Sequence, residues 1–214
     1  YVGSAACTDC HREAADAWRG SHHAKAWSNA VEDNVLGDFS GTTFRQNGIM
    51  SRFYRDGPTY MIETDGPDRR ITRYPVHSVV GVEPLQQYVL ETEEGRLQSF
   101  DVVWDTEAKR WYHLYPDQEL FGGDGLHWTG PYKNWNARCA ECHATDFNKN
   151  YSPVERSYAS TQSEIGVGCE ACHGPGEAHL AWAEGLETTQ KPWTGLTQTG
   201  LTISMSQGGE VTLQ

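Results

Sequence analysis

The sequence predicts an α+β fold in which short helices and loops near both ends of the chain flank an antiparallel β-meander. Short Ala- and Glu-containing runs around three Cys-x-x-Cys-His motifs favour helices of a few turns. Between Thr42 and Tyr115, β-branched and aromatic residues alternate with polar ones, which is the period of half-buried strands. Asn-Gly and Asp-Gly pairs interrupt that stretch and are strong hairpin signals.

The three motifs each place two cysteines three positions apart, with a histidine directly after the second. Two thiols one helical turn apart can bond to the vinyl groups on one edge of a porphyrin, and the following imidazole can then ligate the iron. The sequence therefore predicts three covalently bound haem c groups, around which the short helices and loops pack. The attachment residues are Cys7, Cys10, Cys139, Cys142, Cys169 and Cys172, and the proximal iron ligands are His11, His143 and His173.

Other uses of paired cysteines explain the sequence less well. A zinc ribbon takes two Cys-x-x-Cys pairs per ion, so three pairs would leave one pair over, and it gives no role to the histidine after each second cysteine. A thioredoxin-like redox site needs one such motif on a βαβ unit. A disulfide that closes a four-residue loop constrains the chain very little.

Composition limits the partners and the location of the protein. The formal net charge is −12 at pH 7, which argues against nucleic acid as a partner. No apolar run approaches the length of a membrane span. Tyr1 opens directly on a short polar segment, as expected once a signal peptide has been removed. Because haem c is attached outside the cytoplasmic membrane, we expect a periplasmic or extracellular protein.

The chain divides into four expected segments, which are a first haem-binding segment (1–41), an antiparallel β insert (42–116), a two-haem segment (117–185) and a polar tail (186–214). In the first segment we predict a helix from Thr8 to Trp18 and a second from Ser21 to Trp27. The tail is a surface strand, a contact arm or a partly disordered stretch. The insert is predicted to contain about six strands, from the segments 43–46, 49–55, 59–64, 70–80, 86–92, 96–104 and 110–115, one of them doubtful.

Six further histidines could supply distal ligands to the irons. A lone histidine is more often a surface or hydrogen-bonded residue than a ligand, but irons that need partners weaken that interpretation. We favour His23 over its neighbour His22, because only one of the two can face a given haem. His127 and His179 are the other preferred ligands, and His179 is too close to His173 to reach across its own haem. His113 is a lower candidate that could equally be a core residue, and His77 is expected to be structural.

Longer stretches of the sequence resemble a known family. The runs GVEPLQQYVLE (81–91), GRLQSFDVVWD (95–105), RWYHLYPDQ (110–118), HWTGPYKNWNARCAECHATDFNKNY (127–151) and VGCEACHGPGEAHLAWA (167–183) resemble the bacterial multihaem cytochrome domain that is often joined to tetratricopeptide repeats. The CHGPG run with a following histidine resembles the cytochrome c554-like group. This resemblance implies closely packed haems with bis-histidine ligation, and places His23, His127 and His179 at matching motif positions. Larger relatives usually continue into further motifs and helical repeats, which this sequence lacks.

These features predict an electron-transfer relay. Its partners would be redox proteins, other cytochrome subunits or copies of itself, and the chain could serve as a unit of a larger haem chain or filament. The alternative is a multihaem oxidoreductase of the nitrite, hydroxylamine or tetrathionate type, which needs one iron with an open coordination position. A third hypothesis is that the β insert is a binding module, with the haems as a sensor or anchor. A ligand bound on that sheet would favour it.

Overall fold

The structure is a computed structural model that describes residues 1–185 and, farther along, the backbone of two short strands. Its main body is a nine-stranded antiparallel sheet whose longest path follows the order of the chain. The strands of the sheet are β1 (Ser28–Asn29), β2 (Thr42–Gln46), β3 (Ile49–Asp56), β4 (Thr59–Asp65), β5 (Ile71–Val80), β6 (Leu85–Glu91), β7 (Leu97–Ser99), β8 (Val102–Asp105) and β9 (Arg110–His113).

The sheet curls into a nearly closed barrel. Its path runs β2-β3-β4-β5-β6-β8-β9, with β1 added to β5 and β7 added to β6. The two end strands approach each other, since the indole N–H of Trp111 on β9 donates to the hydroxyl of Thr42 on β2 at 3.1 Å. The side-chain amide of Gln46 also donates to the carbonyl of Pro116 at 3.2 Å. Curling in this way protects the unpaired groups of two edge strands.

Aromatic rings fill the barrel interior. Trp111 stacks on Phe53 with ring centroids 3.6 Å apart and planes 8° apart, and Phe39 meets Trp111 edge to face at 5.6 Å. Edge-to-face pairs of this kind add to the free energy gained by burying the rings. The same cluster contains Tyr60, Ile62, Tyr74, Val76, Val79, Tyr88, Leu90, Phe100, Val102, Trp104 and Trp128. The alternation seen in the sequence therefore gives the barrel a core made only from its own side chains and nearby loops.

The helices are short. They are α1 (Ser4–Thr8), α2 (Arg12–Arg19), α3 (Trp135–Arg138), α4 (Ala140–His143), α5 (Cys169–His173) and α6 (Glu177–Ala183), with 3₁₀ turns at Glu93–Gly95 and Pro131–Lys133. Small two-stranded sheets pair β10 (Ala144–Thr145) with β13 (Glu164–Ile165), β11 (Tyr151–Ser152) with β12 (Ser157–Tyr158), and β14 (Ile203–Met205) with β15 (Val211–Leu213). None of the helices in the described part of the chain is long and apolar enough to cross a bilayer.

The prediction of an α+β fold built around haem-binding helices is wrong. The molecule is mainly an antiparallel sheet with a few helices of four to eight residues. A Cys-x-x-Cys-His motif needs only about one helical turn, so it does not require a helical architecture around it. The predicted helix from Thr8 to Trp18 is replaced by α1 and α2, and residues 21–27 form turns and bends instead of a helix.

Within the sheet, the strands lie within one or two residues of most predicted segments. The predicted strand 96–104 is instead divided into β7 and β8 at Phe100 and Asp101, both buried. Most of the expected polar tail, from residue 186 onward, lies outside the described residues.

A second, smaller core joins the barrel to the motif-bearing segments. Trp27 is fully buried and its indole N–H donates to the hydroxyl of Ser78 on β5 at 2.5 Å. Trp135 on α3 packs against Trp27 with centroids 5.3 Å apart. The side chain of Asn136 accepts the backbone N–H of Leu97 on β7 at 2.7 Å. The region before the second motif is therefore anchored to the barrel wall.

Candidate haem sites

Each Cys-x-x-Cys-His motif lies on or next to a one-turn helix. The third motif occupies α5, and the second begins at Cys139, the N-cap of α4. The first begins at Cys7 in the last turn of α1 and ends at His11, the N-cap of α2. In each motif the first cysteine is half-buried and the second is exposed. Because side chains three positions apart share a helix face, the two thiols of one motif can reach the same edge of a porphyrin.

The third motif and the segment before it lie between the other two motifs. On one side, β10 directly follows His143 and pairs with β13, so Thr145 opposes Glu164. The Thr145 hydroxyl accepts the backbone N–H of Gly168 at 2.9 Å and donates to the carbonyl of Gly166 at 3.2 Å. The second motif is thereby held against the start of the third, although their cysteines are thirty positions apart in the sequence.

On the other side, the first motif is held by buried polar side chains. The Ser4 hydroxyl on α1 accepts the backbone N–H of Cys169 at 2.9 Å and donates to Glu164 at 2.8 Å. The carboxylate of Glu170 accepts the backbone N–H groups of Val2 and Gly3, the latter at 2.7 Å. More than 150 residues separate these partners in the sequence. The β barrel therefore separates the motifs along the chain but not in space.

Glu170 is the most buried carboxylate among the motif residues, at 3% exposure. It also accepts the backbone N–H of Gly176 at 2.7 Å. Burial by itself opposes ionisation, but the hydrogen bonds from Gly176, Val2 and Gly3 outweigh it and hold the pKa of Glu170 below its ordinary value. The ionised carboxylate is therefore the form that stabilises this junction.

The imidazole of His143 is oriented as an iron ligand would be. Its Nδ1 lies 2.9 Å from the carbonyl oxygen of Ala26, so Nδ1 carries the proton and donates it to that carbonyl. This bond fixes the tautomer in which Nε2 keeps its lone pair, which is how metal-bound histidines are commonly held. Trp135 packs edge to face on the same ring at 5.0 Å.

His11 and His179 lie opposite each other. Their ring centroids are 6.0 Å apart and their planes differ by 30°. Two metal–imidazole bonds of about 2 Å each, with about 1 Å more from each nitrogen to its ring centre, give a separation of about 6 Å. The spacing of these two rings therefore suits one iron with both imidazoles as axial ligands. His179 is held further by Trp182, whose ring lies 5.6 Å away.

The first cysteines of two motifs are poor thiolates. Burial raises the pKa of Cys7 to about 11, and the nearby Cys169, Glu170 and Glu164 add to this effect. Burial also raises the pKa of Cys139. Thiol–disulfide exchange needs a thiolate at ambient pH, so these surroundings favour neutral thiols, unlike those of a redox-active Cys-x-x-Cys pair.

The other candidate ligands have different surroundings. His22 and His23 are exposed, and the backbone carbonyl of His23 accepts the N–H of Val167 just before the third motif. This places the backbone of His23 next to the third motif. His173 is half-buried at the end of α5. His113 lies at the barrel mouth, where its Nδ1 accepts the backbone N–H of Tyr115 at 3.0 Å, and burial lowers its pKa.

His127 lies inside the barrel rather than beside a motif. It is 4% exposed, its Nε2 lies 3.0 Å from Asp65, and its Nδ1 lies 2.8 Å from the hydroxyl of Thr129. Both ring nitrogens thus have partners in this structure. Iron ligation by His127 stays a prediction, and it would require the buried bond to Asp65 to break.

Sequence reasoning missed the residues that join the motifs, above all Ser4, Glu164 and Glu170. Acidic residues near short helices ordinarily indicate a solvent-exposed face, so nothing in the spacing pointed to burial. The one available signal in the sequence was the glycine at position 168, because a glycine can mark a place where other parts of the chain approach too closely for a side chain. A Cβ there would come within 2.7 Å of the Ser4 hydroxyl and would also meet the Glu164 carboxylate.

The residues present fit a covalently attached haem better than a bare metal ion. No cluster of three or more His, Cys, Asp and Glu side chains suited to an ion occurs among the residues that the structure describes. Haem iron needs only two axial ligands from the protein. The His11–His179 pair has the spacing expected for both ligands of one iron, and His143 is oriented to supply one ligand to another iron. The exposed second cysteine of each motif is accessible for thioether formation.

Comparison with known proteins agrees with this fit. The family model described as cytochrome c554 and c-prime matches residues 6–40 and 104–174. These two stretches contain all three motifs, whereas residues 41–103, which form most of the barrel, lie outside the match. Searches of curated proteins and of solved structures found no significant match.

Proposed function

Because the chain belongs to the cytochrome c554 and c-prime family of c-type cytochromes, which carry covalently bound haem c and transfer electrons, we propose that it is a three-haem electron relay. The convergence of three motifs on the segment from Glu164 to Glu170 carries this proposal. Each bound haem supplies an iron that accepts and releases one electron. Motifs held this closely would bring their haems within short range of one another, which a relay requires.

The ligand set we propose follows from the contacts. Cys7 and Cys10, Cys139 and Cys142, and Cys169 and Cys172 form the thioether bonds, and His11, His143 and His173 are the proximal ligands. His179 supplies the second ligand opposite His11 because of their 6.0 Å separation. His23 is the next candidate because its backbone contacts Val167, next to the third motif.

The partners we propose are other redox proteins, including further cytochrome subunits or copies of this chain, in the periplasm or outside the cell. The net charge of −12 favours a basic partner surface. Association driven by this charge should weaken as ionic strength rises, since salt screens the attraction between exposed charges.

Haem stoichiometry tests the number of haems directly. We expect the mass of the intact protein and its pyridine haemochromogen spectrum to give three haems per chain. The double variant Cys169→Ala/Cys172→Ala should give two, and Asp9→Asn, a change of an exposed residue inside the first motif, should still give three. Fewer than three haems in the unmodified protein would overturn the proposal.

A haem enzyme with one open iron is the second candidate. The engagement of both nitrogens of His127 favours it, because it reduces the number of histidines available as distal ligands. Low-temperature EPR of the oxidised protein and carbon monoxide binding to the reduced protein distinguish the two functions. A relay with saturated irons gives only low-spin signals and does not bind carbon monoxide. A high-spin haem that binds carbon monoxide would favour the enzyme.

A further inference from the structure

Glu170 lies inside the third motif, yet its contacts reach the two elements that carry His11 and His179. Its Oε2 accepts the N–H of Gly3 at 2.7 Å, at the start of α1, which leads into the first motif. Its Oε1 accepts the N–H of Gly176 at 2.7 Å, and Gly176 is the N-cap of α6, the helix that carries His179.

One carboxylate therefore holds the starts of two short helices in a fixed relation. From Gly3 the chain reaches His11 within about two turns, and from Gly176 it reaches His179 within one turn. Neither helix has a side-chain cap of its own at this end. The rings that they carry are 6.0 Å apart.

We propose that Glu170 is a positioning residue for the axial pair His11 and His179, so that a side chain of the third motif sets the ligation of the haem on the first motif. This inference rests on the proposed ligand set. The Glu170 carboxylate accepts the backbone N–H groups of Val2, Gly3 and Gly176. It acts through the backbone N–H groups that it accepts, and a buried charge-assisted hydrogen bond is among the stronger ways to fix a backbone.

The second motif provides a matched control. Glu141 occupies the third position of CAECH, whereas Glu170 occupies the second position of CEACH, and Glu141 is exposed. Both variants, Glu170→Gln and Glu141→Gln, remove one negative charge from a one-turn helix between two haem-attaching cysteines. Only Glu170→Gln also replaces an acceptor of three backbone N–H groups with a side-chain amide, which presents N–H donors of its own toward them.

The test uses the protein with its haems attached. In the unmodified protein and in Glu141→Gln, we expect the haem of the first motif to be low-spin and unreactive with carbon monoxide. In Glu170→Gln, we expect three haems by mass, with one haem in three becoming high-spin in EPR and binding carbon monoxide. His179→Ala should give the same new signal, and the double variant should add nothing to it. Added imidazole should restore the low-spin signal in both single variants.

A low-spin first haem in Glu170→Gln, identical to that in Glu141→Gln, would overturn the inference while leaving the three-haem proposal intact. Fewer than three haems in the unmodified protein would overturn the proposed function instead. If Glu170→Gln does not accumulate, Glu170→Asp replaces it, because the shorter carboxylate keeps the charge but cannot reach both Gly3 and Gly176. The same two spectral outcomes then decide the question.

Discussion

The barrel interior is packed from aromatic rings, whereas the segments that carry the three motifs are joined mainly by hydrogen bonds to buried polar side chains. In the barrel, Trp111 alone contacts four aromatic rings. At the junction of the motifs, Ser4, Thr145 and Glu170 are almost fully buried and accept backbone N–H groups from distant parts of the chain. We infer from this difference that packing of its own side chains is enough to stabilise the barrel. The segments that carry the three motifs also depend on burying the apolar surface of their haems.

The largest effect should come from truncating the barrel core. Trp111→Ala removes the ring that stacks on Phe53 and contacts Phe39, and should lower the free energy of unfolding by about 3–5 kcal/mol. Denaturant unfolding followed by far-UV circular dichroism measures this loss. The haem absorption spectrum should not change, because Trp111 contacts no motif residue among its ring partners.

The control for this change is Ile71→Ala, at an exposed position of β5. It should alter stability by about 0.5 kcal/mol or less. A loss below about 1 kcal/mol for Trp111→Ala, or a shifted haem spectrum, would contradict the division between the two regions.

Crowding the motif junction should have a smaller but more selective effect. A Cβ on Gly168 would meet Glu164, lie 2.7 Å from the Ser4 hydroxyl and lie 3.1 Å from the Thr145 hydroxyl. Gly168→Ala should therefore cost about 1–3 kcal/mol and lower the yield of protein with all three haems. Thermal unfolding followed at the Soret band, together with intact mass, measures both effects.

Gly20→Ala is the matched control, since the nearest atom to a new Cβ there is 3.7 Å away and its φ of −77° suits any residue. It should be neutral or slightly stabilising. If Gly168→Ala and Gly20→Ala have the same thermal stability and the same yield of three-haem protein, the close approach of Ser4 and Glu164 to Gly168 is not needed to join the motifs.

The buried pair of His127 and Asp65 tests whether His127 belongs to the barrel or to a haem. From its two hydrogen bonds, we expect His127→Gln to lower barrel stability by about 1–3 kcal/mol, since Asp65 would lose a buried partner. The EPR spectrum should stay low-spin. Asp65→Asn should reduce stability in the same way without a spectral change. A new high-spin haem in His127→Gln would instead support the prediction that His127 ligates iron.

The comparison of the two regions also explains what could be predicted. Local signals in the barrel are strong, so strands such as β3 and β5 follow from alternation and from the turns at Asn47-Gly48 and Asp65-Gly66. The motifs, in turn, identified the haem chemistry from residue spacing alone. The predicted fold class was wrong because the three motifs were taken to need haem-binding helices around them, whereas each motif needs only about one helical turn. The contacts of Glu170 with Val2 and Gly3 join residues that are 167 or more positions apart, and no local pattern encodes such a pairing.

The smallest effect should be a pH dependence at the barrel mouth. Burial lowers the pKa of His113, and the nearby Asp101 only partly opposes this. The unfolded chain therefore binds the proton more readily than the folded one, so the stability contributed by neutral His113 is present above about pH 6.5 and is lost as the pH falls below that value. Asp101 contributes a pH dependence of stability with the opposite sign, because burial raises its pKa despite the ion pair with Lys133.

His113→Gln isolates this contribution, because the Gln carbonyl can still accept the N–H of Tyr115 that Nδ1 of His113 now accepts. We expect the stability of the unmodified protein to fall more steeply than that of His113→Gln between about pH 7.5 and pH 5.5. Denaturant midpoints at a series of pH values measure the difference. Parallel plots of stability against pH for the two proteins would show that His113 has the same pKa in the folded and unfolded chain. A shallower plot for the unmodified protein would show that folding raises the pKa of His113 instead of lowering it. Because His113 faces the barrel interior, the haem spectra should not change over this range.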